Sequence, residues 1–297
     1  MMESLLRTLG AAAFCSFLVG TGALAEDFKV RTATLENGLL IAVVEDHRAP
    51  VVTQMLYYKA GSADEQNGKT GLAHFLEHMM FQGTSTTPGA EFRATIARFG
   101  GRENAFTTSD VTAYHQTVAK EALELVLRLE ADRMHNLTIT QKEFDSEKEV
   151  IKEERRNRYE NEPAGQFGEQ MQAAQFLNHP YGQPTIGWMH EIEATTRDDA
   201  LAWYKKWYVP NNAILVIAGD TTLEEVVPLA RKYYGAIPRG ADPQRFRPKE
   251  PPQLAERRVL FYDARVRQAT FSRNYLAPSM TARDGRSEEH TSELQSH

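Results

Sequence analysis

Cysteine is almost absent from this 297-residue chain. The single one, Cys15, lies in an apolar segment near the amino terminus, and every residue after it is free of thiols. The rest of the chain can form neither a disulfide nor a thiolate metal site, because both require cysteine. Any metal ion bound there has to be held by histidine, aspartate or glutamate.

An excess of basic residues is also missing. The formal net charge is −6 and the sequence pI is about 5.9, so the chain lacks the positive charge typical of proteins that bind nucleic acid. No phosphate-binding loop of the type G-x-x-x-x-G-K-S/T occurs either, which argues against a nucleotide-dependent small-molecule enzyme. We therefore expect no nucleic-acid partner.

An apolar run stands at the amino terminus. It extends from Leu9 to Leu24 and ends in Ala23-Leu24-Ala25, the small-x-small pattern of a secretory cleavage site. We predict that residues 1–25 are a signal peptide and that the mature protein is exported without stable membrane insertion. Export without disulfides indicates a bacterial periplasm. The alternative is an uncleaved anchor, but the run is short for a bilayer span and lacks a basic stop.

The remaining sequence divides by composition into four parts. Residues 26–238 carry the patterns of one large domain, and residues 239–256 crowd prolines with charges, as in a stiff linker. Two strand patterns follow, Arg257–Tyr262 and Gln268–Leu276, and we interpret residues 257–285 as the start of a second, truncated domain. Residues 286–297 show no apolar period, so we interpret them as a non-native, adapter-like tail, with a natural disordered tail as the alternative.

Strand and helix patterns alternate through residues 26–238. Two strand patterns flank Asn37-Gly38, a dipeptide that strongly favours a hairpin turn. A third strand is predicted at Val51–Ala60, a helix at Thr70–Gln82 and a long charged helix from Gln141 to about Glu160. This alternation predicts an α+β fold, in which a mixed or antiparallel sheet carries helices on one face.

The predicted helix at Thr70–Gln82 contains the pattern His-x-x-Glu-His. At about 100° per residue, His74, Glu77 and His78 share one helix face, and Phe75 and Leu76 lie on the other. Two imidazoles one turn apart can bind one Zn²⁺, and the glutamate beside them can accept a proton from metal-bound water. The alternative is a solvated polar face without a metal.

A zinc site needs a third protein ligand, and the charged helix after Gln141 offers candidates. Glu147 and Glu154 are seven residues apart, so they differ by only about 20° around the helix. They share a stripe with Phe144, Val150 and Ile151. Carboxylates on an apolar stripe need a cation or hydrogen-bond donors, which a zinc ion or a core arginine would supply. Helical periodicity does not choose between the two glutamates.

Four sequence blocks, in this order, resemble the pitrilysin–insulinase family of zinc metallopeptidases, which includes the mitochondrial processing peptidase. The blocks are His74–Thr84, Gly100–Thr107, Glu147–Glu154 and Tyr208–Asp220. The resemblance extends from about Phe28 to Tyr262. It implies an amino-terminal half of such an enzyme, built from related α+β domains that face each other.

The resemblance also implies the roles of individual residues. It makes His74, His78 and Glu154 the ligands of one zinc ion per chain, Glu77 the general base and Glu147 a supporting residue behind the ligands. It places Asn104, Ala105 and Phe106 on an edge strand that binds an extended peptide substrate.

The family resemblance further implies a second half-domain or a partner subunit. The expected function is zinc-dependent endopeptidase activity, with the truncated chain expected to be inactive or weakly active on its own. A non-catalytic, peptide-binding partner subunit of a two-chain peptidase is the alternative.

Overall fold

Six strands form one mixed sheet in the computed structural model, which describes residues 29–277. The strand order is β1-β2-β6-β3-β5-β4. Neighbouring strands run antiparallel, except that β2 and β6 are parallel. The strands are β1 (Val30–Thr34), β2 (Leu40–Glu45), β3 (Val51–Tyr58), β4 (Arg102–Thr107), β5 (Thr112–Ala119) and β6 (Ala213–Gly219). The predicted mixed sheet is confirmed.

Eight α-helices accompany the sheet in the described part of the chain. Helix α1 packs against β4 and β5, α3 against β3 and β5, and α8 against β1 and β2, and α1 also contacts α4 and α7. The helices are α1 (Leu72–Met80), α2 (Gly89–Arg98), α3 (Leu123–Asn136), α4 (Gln141–Arg155), α5 (Pro163–Gln175), α6 (Met189–Ala194), α7 (Arg197–Trp207) and α8 (Leu223–Tyr234). A π-helical turn, Arg156–Glu160, prolongs α4.

One face of the sheet forms the core. Along β3, Val52, Leu56 and Tyr58 are fully buried, whereas the alternate side chains remain partly exposed. Leu215 and Ile217 of β6 join the same buried cluster as the helix residues. Because side chains alternate across a strand, this pattern places the helices on one face of the sheet, as the sequence predicted.

The turn between β1 and β2 forms at Asn37-Gly38, as predicted. Gly38 has φ of 90°, a conformation that other residues rarely adopt. The Asn37 side-chain amide donates to the carbonyls of Tyr234 and Ile237, at 2.8 and 2.9 Å. These hydrogen bonds fasten the hairpin to the end of α8.

The prediction of two strands at Arg257–Tyr262 and Gln268–Leu276 is wrong. Within the described residues, 239–277 form no helix or strand. A strand needs a neighbour for its backbone hydrogen bonds, and no described strand pairs with this segment. Side chains instead attach the segment to the domain: Arg247 contacts Asp64, and Glu250 accepts hydrogen bonds from the backbone of residues 177–179.

The predicted signal peptide, residues 1–25, lies outside the described residues, as does the predicted tail, residues 286–297. Among the helices of residues 29–277, none has both the length and the apolar character needed to cross a membrane.

Candidate metal centre

Helix α1 carries the His-x-x-Glu-His pattern with one buried apolar face. Phe75, Leu76 and Met79 are at most 1% exposed and pack into the core. The ring of Phe75 stacks on Phe144 of α4, with centroids 4.7 Å apart. This contact holds α4 beside α1, so that glutamates of α4 can reach the histidine face of α1.

The amino terminus of α1 is capped by a residue that the sequence analysis missed. The carboxylate of Glu65 accepts the backbone N–H groups of Gly71 and Ala73, at 2.9 and 2.7 Å. Burial raises the pKa of Glu65 well above its ordinary value, although these two hydrogen bonds oppose the shift. Glu65 therefore satisfies helix donors for which α1 has no capping side chain of its own.

Gly71 is required where α1 begins. Its φ is 86°, and a Cβ at this position would lie 2.3 Å from the carbonyl oxygen of Ile186. Only glycine allows this backbone conformation and this close approach together. The loop that contains Ile186 can therefore pack directly against the start of the histidine helix.

His74, His78 and Glu154 bring three possible ligand atoms within 4.8 Å of one another. The Oε2 atom of Glu154 lies 3.3 Å from His78 Nε2 and 3.7 Å from His74 Nε2. The same oxygen is buried and accepts no well-formed hydrogen bond within residues 29–277. Two imidazole nitrogens and a carboxylate oxygen suit Zn²⁺, and a bound cation would offset the desolvation of that oxygen.

Glu147 lies on the other side of His78. Its Oε1 atom is 2.7 Å from His78 Nδ1, and its Oε2 atom accepts a hydrogen bond from Gln82 at 2.9 Å. Glu147 and Glu154 thus contact different nitrogens of one imidazole. A carboxylate on Nδ1 orients the ring and directs Nε2 towards a ligand, as carboxylates behind metal-binding histidines do.

The two histidines have opposite electrostatic surroundings. Burial, reinforced by the nearby His78, lowers the pKa of His74 to about 4. Burial alone would lower the pKa of His78 as well, but the carboxylates of Glu147 and Glu154 outweigh it and raise that pKa to about 9. At neutral pH His74 is therefore in the neutral form that binds metals. His78 would release a proton when a metal ion binds.

The surroundings of Glu154 favour its charged form. Burial raises its pKa, but His78, His74 and Arg158 outweigh burial, so the net pKa is below its ordinary value. The guanidinium of Arg158 lies 2.9 Å from Glu154 Oε1 and leaves Oε2 facing the two imidazoles. Arg158 was not identified from the sequence, because it belongs to a run of charged residues at the end of α4.

Glu77 lies beside the cluster and faces strand β4. The hydroxyl of Thr107 donates a hydrogen bond to Glu77 Oε2 at 2.5 Å. Burial raises the pKa of Glu77, and this hydrogen bond opposes the shift. Thr107 ends a sequence block that the family resemblance singled out, but its contact with Glu77 could not be read from that block.

Strand β4 is an edge strand of the sheet. Asn104 and Phe106 point to the exposed side, whereas Ala105 is partly buried against the core. The Asn104 side chain accepts a hydrogen bond from the backbone N–H of Ala105 at 2.9 Å. Helix α1 packs against this strand, so the three residues predicted to bind substrate lie on the strand that also contacts Glu77.

Helix α1 of this α+β domain presents the pattern His-x-x-Glu-His next to a glutamate of α4. This arrangement is typical of the class of proteins with an inverted metal-binding motif. Comparison with known proteins identifies the family. Residues 40–188 match the model described as Insulinase (Peptidase family M16), and residues 194–292 match the model described as Peptidase M16 inactive domain. The chain belongs to this peptidase family, and the resemblance found in the sequence is confirmed.

Individual relatives agree with this assignment. The zinc protease PqqE of Helicobacter pylori is 33% identical over 79% of this chain and 53% of its own length. The probable mitochondrial-processing peptidase subunit beta of Schizosaccharomyces pombe is 31% identical over 72% of this chain and 47% of its own. The chain spans about half the length of these curated relatives.

A solved structure shows the same fold. The periplasmic protease PqqL of Escherichia coli aligns with a TM-score of 0.70 and 27% identity, over 75% of this chain and 25% of that one.

Proposed function

We propose that this chain is the zinc-carrying half of an endopeptidase. The observation that carries the proposal is the buried Glu154 Oε2 atom, which accepts no well-formed hydrogen bond within residues 29–277 and faces the Nε2 atoms of His74 and His78. His74, His78 and Glu154 would hold one zinc ion, and Glu147 would orient His78 from behind. A zinc ion held there would supply a water of lowered pKa and would polarise the carbonyl of the bond to be cleaved.

Glu77 is the general base in this proposal. It lies one residue before His78 and on the same helix face as both histidines, so its carboxylate can accept a proton from the attacking water. The same carboxyl group then gives the proton to the departing amine nitrogen. Burial in a site that excludes most water raises the pKa of Glu77, which favours its return of the proton to the product.

The substrate is an extended peptide that pairs with the free edge of β4. An edge strand exposes backbone N–H and C=O groups, and a peptide can add to them as a further strand. Asn104, Ala105 and Phe106 would bind the peptide backbone and its neighbouring side chains. Because α1 packs against β4, a peptide on this edge would lie close to Glu77 and the metal ligands.

The proposal also assigns a role to each part of the chain. Residues 26–238 would form the zinc-binding domain, residues 239–256 a linker and residues 257–285 the start of a second domain. A second half-domain or a partner subunit of the same family would supply the rest of the substrate site. The E. coli neighbour is described as periplasmic, which supports export to the periplasm.

The variant Glu77→Gln tests the catalytic part of the proposal. The full chain, loaded with zinc, is incubated with a fluorogenic peptide mixture, and hydrolysis is followed beside zinc content. We expect Glu77→Gln to keep its zinc and lose at least about 100-fold in hydrolysis, because a neutral amide cannot accept the proton. Equal hydrolysis by wild type and variant would contradict the role of Glu77.

The outcome also separates the two functions considered for this chain. Zinc binding with no hydrolysis by the wild type, both alone and mixed with a separately produced second half-domain, would favour the alternative, a non-catalytic peptide-binding partner. The intact set of His74, Glu77 and His78 is an observation against that alternative, because a binding subunit has no need of all three.

A further inference from the structure

The carboxylate of Glu77, a residue of α1, forms a hydrogen bond with a residue of the sheet. Glu77 is 9% exposed, and its Oε2 atom accepts the Thr107 hydroxyl at 2.5 Å. Thr107 is the last residue of β4 and pairs with Thr112 of β5. One hydrogen bond therefore joins the helix that carries the motif to the edge strand proposed to bind substrate.

The direction of this hydrogen bond follows from the neighbouring hydroxyl. Thr112 Oγ1 donates to the carbonyl oxygen of Ala60 at 3.0 Å. Thr107 Oγ1 could donate to Thr112 Oγ1, but the two atoms are 3.4 Å apart. A carboxylate at 2.5 Å is a much stronger acceptor than a hydroxyl at that distance. The single proton of the Thr107 hydroxyl is therefore directed at Glu77.

The other hydroxyl groups near Glu77 are engaged elsewhere. The phenol groups of Tyr114 and Tyr208 are buried and form a hydrogen bond with each other at 2.8 Å. Within residues 29–277, the side-chain hydrogen bond that reaches the Glu77 carboxylate comes from Thr107. Because one carboxylate oxygen is fixed in this way, rotation about the last bond of Glu77 is restricted.

We propose that Thr107 is a positioning residue that holds the Glu77 carboxylate in the orientation needed to accept a proton. The inference rests on the proposed role of Glu77 as general base. It gives β4 a second role, because the strand whose edge pairs with the peptide also orients the base. Many catalytic bases are oriented by a third group in this manner. In this proposal Thr107 acts through Glu77, to which its hydroxyl donates.

The first test compares three variants of the zinc-loaded full chain by steady-state peptide hydrolysis. Thr107→Val keeps the shape of the side chain and removes the hydroxyl, so we expect kcat to fall about 10-fold or more while KM changes less than about twofold. Thr107→Ser restores the hydroxyl and should recover most of kcat. Thr117→Val is the matched control: it makes the same substitution on β5, where the hydroxyl contacts Thr53, and should leave kcat unchanged.

The second test does not depend on hydrolysis. Melting temperatures of the metal-free chain are measured for Thr107→Val, Glu77→Ala and the double variant. A hydrogen bond to a charged group predicts that Thr107→Val lowers the melting temperature by about 3 °C when Glu77 is present. In the Glu77→Ala background the same substitution should change it by less than about 1 °C, because the partner is gone.

The two tests distinguish failure of this inference from failure of the proposed function. A wild type that hydrolyses peptides, with Thr107→Val equal to it in kcat, overturns the inference and leaves the peptidase proposal intact. A wild type without hydrolysis contradicts the peptidase proposal and with it the catalytic part of this inference, and the melting temperatures then test only the hydrogen bond between Thr107 and Glu77. Additive effects of the two substitutions on melting would overturn the inference, and the non-additive result would support it.

Discussion

Glu154 and Arg155 are neighbours on α4, yet their charged side chains face different parts of the fold and have different partners. Arg155 is 4% exposed and donates two hydrogen bonds to the carboxylate of Glu169 and one to the carbonyl of Gly187. Glu154 faces α1, where its Oε2 atom is buried beside two imidazoles and has no well-formed hydrogen bond within the described part of the chain. Arg155 is paired with a carboxylate of another helix, whereas Glu154 pairs with Arg158 through Oε1 and turns Oε2 towards the two imidazoles.

We interpret this difference as one between a charge that holds the fold together and a charge that is proposed to bind a metal ion. A buried charge that is ion-paired holds parts of the fold together, here α4, α5 and the loop that contains Gly187. Burying a carboxylate oxygen beside imidazole nitrogens costs desolvation free energy, and a bound cation would offset that cost. Substitutions on the two sides of α4 should therefore change different properties of the protein.

The largest effect is expected for Arg155→Ala. Its loss leaves the Glu169 carboxylate buried without a counter-charge, which costs about 3–5 kcal/mol in the free energy of unfolding. Urea denaturation followed by circular dichroism measures this change. Val150→Ala is the control on the same helix: Val150 is 49% exposed, so its substitution should cost less than about 0.5 kcal/mol. Equal stability of Arg155→Ala and wild type would contradict the structural role.

A smaller effect, on zinc alone, is expected for Glu147→Gln. The amide can still accept a hydrogen bond from His78 Nδ1, but it lacks the charge that orients and polarises the ring. Residues behind metal ligands typically contribute 10–100-fold to metal affinity, and we expect a loss of about 10-fold. Competition with a chelator of known zinc affinity measures it. A complete loss of zinc would instead make Glu147 a direct ligand.

Much of the metal centre could be predicted from the sequence, because helical spacing alone places His74, Glu77 and His78 on one face. The choice between Glu147 and Glu154 could not be made in this way. Seven residues bring both to the same side of α4, and only the packing of α4 across α1 sets one beside Nδ1 and the other beside Nε2 of His78. The family resemblance supplied the preference for Glu154.

The wrong prediction for Val150 and the contacts of Glu65 and Thr107 that the sequence did not predict have the same physical origin. Val150 was placed on the apolar stripe of α4, yet it is 49% exposed, because only Phe144 and Ile151 of that stripe reach the core. Glu65 and Thr107 act on α1 from a loop and a strand that are distant in sequence from their partners. Periodicity describes one element at a time, so contacts between elements escape it.

The most direct test of the account is the zinc content of the purified full chain, measured by atomic emission for wild type and Glu154→Gln. We expect about one zinc per wild-type chain and almost none in the variant, because a direct ligand contributes more than the 10–100-fold typical of residues behind it. Circular dichroism of both proteins confirms that they are folded. A folded wild type without zinc, or a variant that keeps its zinc, would contradict the assignment of Glu154 and the two histidines as the metal site.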